Sequence, residues 1–256
     1  MGNLVLIGGG RFSDTAPLIH ELASLTEKPD PRIIILPTAA LHSAGEQRAF
    51  QIWQPMFAPV STCIEPLFLM QKRLKKEVLT ERLKPADIVF VPGGDTGMML
   101  KIWRKSGVDE ILAQAYEQGT VLAGMGAGAN AWCRCCISAD RPKKTAHFIG
   151  YRTVWGLGFL DVVLCTHYSD RREALRSYLE EFGGLGLGLE TDQALIVQGD
   201  RYRLHSLHKD VNAYKLTTVE NAEDADLPFI MSAERPIEAD GSMKPLEELL
   251  TPDQPA

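Results

Sequence analysis

The residues with the plainest chemical meaning lie in Thr120–Ala131, T-V-L-A-G-M-G-A-G-A-N-A. Val121, Leu122 and Ala123 read as a short buried strand, followed by a tight glycine turn and a helix from about Ala127. A strand entering a helix through G-x-S-x-G is a nucleophile elbow. Here the pattern is Gly124-Met125-Gly126-Ala127-Gly128, so glycine occupies the place of the attacking oxygen. Acyl transfer needs a nucleophile, a base, a group that orients the base and donors for the oxyanion. His167 is the candidate base, since it follows a buried strand and borders a helix start. Asp140, in a loop after the elbow helix, is a candidate to orient it. The N–H of Ala127 and one from Gly93-Gly94 are candidate oxyanion donors; Gly93-Gly94 reads equally as an ordinary strand-to-helix turn. Arg171 and Arg172 either hold a substrate carboxylate or sit on a solvated helix face. Cys165 and His167, two apart on one strand, would share a face and allow a Cys–His pair. Cys133 and Cys136 form a C-x-x-C without a second pair, within the expected elbow helix, which reads as packing rather than zinc.

These residues need a frame. Apolar runs at Asn3–Ile7, Arg32–Leu36 and Asp87–Val91 read as buried strands, and Thr62–Phe68 reads as a further strand between the second and the last of these. Helical stretches alternate with them: Ser13 or Asp14 to about Leu25, Ser43 to about Phe57 behind a capping box, Leu74–Leu83, Gly97–Lys105 and Val108–Gln118. This alternation predicts an α/β fold with a mostly parallel sheet covered on both faces. Right-handed crossovers then bring the strand ends to one edge, where ligands bind. The Gly8–Gly10 loop, the Pro92–Thr96 loop and the elbow should converge there; Gly8–Gly10 matches a phosphate cradle only in part. The elbow helix should run to about Ile137, and Ser138–Arg152 should be a loop. Val162–Thr166 is expected as a strand, with Ser169 capping a helix to about Phe182. Short strands near Gly186–Leu189, Ala194–Val197, Tyr202–Ser206 and Ala213–Leu216 should add antiparallel to the sheet. The division is one domain over residues 1–218 and an acidic peripheral tail over 219–256.

The chain has 256 residues, 45% hydrophobic and 23% charged, with net charge −6, which suits a globular protein with a large core. The acidic balance lacks the basic stripe of a nucleic-acid binder, and no apolar run is long enough to span a membrane. The first residues enter a core strand directly and five cysteines fit reduced thiols, so a cytoplasmic protein is expected.

Taken together, Leu6–Gly10, Ile35–Ala39, Val91–Thr96, Gly126–Asn130, Gly156–Leu160 and Cys165–Tyr168 resemble the peptidase E (aspartyl dipeptidase) and cyanophycinase family of serine peptidases. Ala194–Val197 and Ala213–Leu216 are similar to later family segments. The resemblance implies a three-layer, flavodoxin-like sheet related to class I glutamine amidotransferases, with a Ser–His–Asp/Glu triad and no metal or other cofactor. By position the nucleophile falls on Gly126, the base on His167 and the third member on Asp140. Ala127 and Gly94 would bind the oxyanion, and Gly93, Asp95, Thr96 and Arg171 would line the substrate site. The implied partner is a small peptide containing aspartate; homodimer assembly stays open.

Glycine cannot form an acyl-enzyme, and loss of a triad nucleophile costs about six orders of magnitude in turnover. The expectation is a peptidase-like pocket that is impaired or inactive. Two alternatives remain at this point. One is an active serine-type aspartyl dipeptidase or cyanophycinase-like peptidase whose serine is substituted here. The other is a different hydrolase chemistry, with His167 activating water or Cys165 attacking.

Overall fold

The computed structural model describes residues 2–10, 16–71, 73–140, 150–208, 211–221 and 229–252. The apolar runs become the parallel strands of a first sheet: β1 (Asn3–Ile7), β2 (Ile33–Ile35), β3 (Ile64–Pro66), β4 (Ile88–Val91) and β5 (Val121–Met125). Their order is β1-β5-β4-β2-β3. β10 (Gln193–Gln198), β11 (Arg201–Ser206) and β14 (Lys244–Pro245) extend it antiparallel beyond β1. Alternate residues of each strand serve two cores. Val5 and Ile7 pack with Leu18, Ile19 and Leu22 of α1 (Ala16–Ser24) and with Trp53 and Phe57 of α2 (Ser43–Phe57). Leu4 and Leu6 face the opposite core, shared with α3 (Lys76–Leu83), α4 (Thr96–Ser106), α5 (Val108–Glu117) and α6 (Ala127–Trp132).

At α2 the expected capping box is absent. His42 is the N-cap, its Nδ1 accepting from Gly45 N at 2.9 Å. Glu46 is fully buried instead and accepts the N–H groups of Leu69 and Met70. That holds the chain after β3 against the helix.

The largest departure follows the elbow. The helix expected to reach Ile137 stops at Trp132, and Cys133–Asp140 is strand β6. Backbone from a distant segment ends it: Leu157 N, Phe159 N and Gly158 N donate to the carbonyls of Ala131, Trp132 and Cys133 at 2.8–3.1 Å. Those carbonyls are therefore satisfied without another helical turn. A crossover back into the first sheet needs roughly a dozen residues, and α6 supplies six. The chain starts a second sheet instead, ordered β13-β12-β9-β8-β6-β7. Its members are β6, β7 (Gly150–Trp155), β8 (Leu160–Thr166), β9 (Leu185–Leu189), β12 (Ala213–Asn221) and β13 (Phe229–Ile237). Part of the segment expected as a loop is thus β6 paired with β7; residues 141–149 lie outside the described residues. The later strands divide between the two sheets, and β9 runs parallel to β8 rather than antiparallel. Of the segment expected as a tail, β13 pairs along β12, and α8 (Leu246–Leu250) buries Leu249 in the shared core. α7 (Tyr168–Phe182) covers the outer face of the second sheet through Leu175 and Leu179.

Among the described residues, no helix is long and apolar enough to cross a membrane.

Candidate active site

β5 ends in the turn that carries residue 126. Gly126 has φ 55° and ψ −110°, donates its N–H to Ile7 O and accepts from Asn130 N, both at 2.9 Å. The flanking glycines are steric requirements. A Cβ on Gly124 would press into the backbone of Gly128 and Ala129, and one on Gly128 into the carbonyl of Val91. Their absence lets α6 lie directly on β5 and β4. The central glycine differs, because a Cβ built there meets nothing nearer than His167 Nε2 at 3.9 Å and Gly93 Cα at 4.0 Å. Only the positive φ favours glycine at this position. A hydroxyl one bond beyond that Cβ would fall within hydrogen-bonding reach of the imidazole.

His167 arrives from the second sheet. It follows β8 and precedes α7 in the left-handed conformation, φ 53° and ψ 54°. It, rather than Ser169, holds the N-cap position, and it makes no side-chain capping bond. Gly9 lies against its ring: a Cβ there would stand 2.9 Å from both ring nitrogens. A Cβ on Gly8 would strike the carbonyl of Glu190. The Gly8–Gly10 loop, which matched a phosphate cradle in part, therefore makes room for the imidazole and for the turn behind it. Burial, then the charge of Arg171, push the imidazole below its ordinary pKa, and Asp170 opposes them. The ring is consequently neutral at pH 7, as a base must be.

Between these groups lies a cleft of about 250 Å³. It is lined by Gly93, Gly94, Asp95 and Thr96 from the segment after β4, by Gly126 and Ala127 from the elbow, and by Thr166, His167 and Arg171 from the end of β8 and the start of α7. Sequence reasoning did not single out Asn130, Ser138, Ala139 or Thr166, which also line it. Asp95 caps α4, accepting from Met98 N at 2.8 Å, and meets Arg152 Nη2 at 3.3 Å across the cleft's edge. Arg171 reaches Ile137 O and Thr166 Oγ1 at 3.4 and 3.5 Å, with its guanidinium 5.9 Å from the Tyr151 ring centre. No carboxylate is paired with it among the described residues. Arg172 points elsewhere, bonded to Glu234.

Two expectations need correction. Cys165 does not share a face with His167: the strand ends at Thr166, and Cys165 is fully buried with Ile137, Val163 and Leu175. Burial pushes its thiol up to about 12, so it cannot supply a thiolate to the cleft. Cys133 and Cys136 lie on β6 rather than a helix, both fully buried. Asp140 ends β6 opposite Gly150, and its side chain lies outside the described residues. Among the described residues, Thr191 Oγ1 lies 3.4 Å from His167 Nδ1. Neither Thr191 nor its neighbour Glu190 was singled out from sequence. The available signal was the polar run Glu190–Gln193 directly after an apolar strand.

Residues 4–205 match the family model described as peptidase family S51. The chain is 28% identical over 238 residues to an uncharacterized peptidase, YgaJ, of Bacillus subtilis, covering 90% of this chain and 97% of the relative. It is 30% identical over 131 residues to peptidase E of Streptomyces coelicolor, covering 47% and 52%. Among solved structures, a peptidase from an acI-B1 actinobacterium shares the fold with a TM-score of 0.67 at 19% identity, covering 96% of this chain and 97% of that one.

Proposed function

The chain belongs to peptidase family S51, and on that premise we propose that its cleft receives small peptides containing aspartate while lacking the group that would open them. The observation that carries this is the seat at residue 126. The elbow backbone, the facing imidazole and the open space between them are all present, and the oxygen is not. Arg171, without a carboxylate partner among the described residues, suits a substrate carboxylate. The N–H groups of Ala127 and Gly94 suit a carbonyl oxygen gaining charge. With no acyl-enzyme possible, positioning and oxyanion contacts leave about 10³–10⁴-fold acceleration over water. The chain then acts as a binding member of a peptidase family.

The same open seat favours a second reading, in which only residue 126 separates the chain from an active serine-type aspartyl dipeptidase. One experiment addresses both. Asp-Xaa dipeptides are titrated calorimetrically into the chain and its Gly126→Ser variant, and hydrolysis is followed for each. Binding by both, with turnover only in Gly126→Ser and higher by at least about a thousandfold, is expected. Binding without turnover in either protein would sink the second reading. Equal, family-like turnover by the unaltered chain would sink the first.

A further inference from the structure

The imidazole of His167 is enclosed by three separate loops. Gly9 lies on its face, residue 126 stands before Nε2, and Thr191 Oγ1 stands 3.4 Å from Nδ1. Thr191 belongs to the turn joining β9 to β10, which is tied down on several sides. Glu190 N donates to Gln193 Oε1 at 2.9 Å, Asp192 N to Gly9 O at 3.0 Å, and Leu207 N to Asp192 O at 3.1 Å. Glu190 would be the obvious acid for the histidine, since Thr166 pairs with Leu189 and the next residues on each strand are His167 and Glu190. Its carboxylate is turned away, accepting from Ser169 Oγ at 2.5 Å. Two adjacent side chains of one turn therefore hold two residues of the histidine segment, His167 through Thr191 and Ser169 through Glu190.

We propose that Thr191 Oγ1 accepts the Nδ1–H of His167, making Thr191 the positioning residue that keeps the Nε2 lone pair directed at residue 126. This deepens the hydrolytic reading of the cleft and rests on it. A neutral imidazole carries one N–H, and the partner of one nitrogen decides the state of the other. Thr191 is exposed, so its own O–H can donate to water while its lone pair takes the ring proton. A hydroxyl fixes the ring and its tautomer as a carboxylate would, without placing a negative charge beside a developing imidazolium.

The test is the ¹⁵N spectrum of the histidine-labelled full chain at about pH 8, where the ring is neutral, with His167 assigned by its loss in His167→Gln. The parent should show a protonated Nδ1 and an unprotonated Nε2. Thr191→Val should shift the proton towards Nε2, and Thr191→Ser should restore the parent pattern. Glu190→Gln and Asp140→Asn should leave it unchanged. A parent pattern retained in Thr191→Val, or lost in Asp140→Asn, overturns the proposal. In the Gly126→Ser background, Thr191→Val should lower kcat about tenfold with KM unchanged, and a change confined to KM would overturn it. The spectrum needs no turnover, so its failure and a failure of peptide binding are separate results.

Discussion

At residue 126 the backbone keeps a conformation that glycine tolerates and a side chain would have to be forced into, while the space for that side chain stays open. Gly9 presents the opposite case. Its φ is also positive, 147°, but the imidazole of His167 fills the place of a Cβ. Gly9→Ala should therefore displace the ring and weaken Asp-Xaa binding by about tenfold or more, as measured by calorimetry, with the secondary structure intact by circular dichroism. The same ring gives a pH signature. Its folded pKa lies below 6.5, so between that folded value and 6.5 the unfolded chain binds more protons. Its contribution to stability is complete above 6.5 and is lost as pH falls through the window. Urea unfolding midpoints should rise with pH there, and His167→Gln should flatten that rise. Position 167 was legible from sequence because a buried apolar strand ended just before a polar helix start. Thr191 was not, since its contact depends on β8 and β9 lying side by side, which nothing local to either segment states.

At the scale of elements, β1, β2, β4 and β5 and the helices between the strands were legible because each is a continuous apolar run or an amphipathic stretch of ordinary length, whereas β3, half-buried and carrying Glu65, was legible only by its place in the alternation. The early end of α6 was not. Ala127–Ile137 contains no breaker after Gly128, and what stops the helix is hydrogen bonding from the Leu157–Phe159 backbone. The glycines around α6 carry a testable difference in packing. A Cβ on Gly128 must push back the β4 carbonyl of Val91, whereas one on Gly126 meets open space. Gly128→Ala should cost about 3 kcal/mol or more in urea unfolding, since backbone has to move. Gly126→Ala should cost only the strain of its backbone angles, about 1–3 kcal/mol. The reverse order of midpoints would show that the helix is free to slide away from the strand.

For the whole molecule, the six-residue length of α6 decides more than local geometry. It obliges the chain to leave the first sheet directly after residue 126, and the histidine is then delivered by a strand of the second. The two positions that would cooperate in catalysis consequently ride on different frameworks, joined by a shared core and by short backbone links such as Asp192 N, in the turn after β9, to Gly9 O, in the loop after β1. A peptide reaching from the Asp95 loop to Arg171 becomes a rivet through both plates. Bound ligand should slow amide hydrogen exchange in β8 and β9 as well as in the residues it touches. The gap between positions 126 and 167 is then a gauge of how the two plates are seated, and a substitution anywhere along their seam can retune it without approaching the cleft.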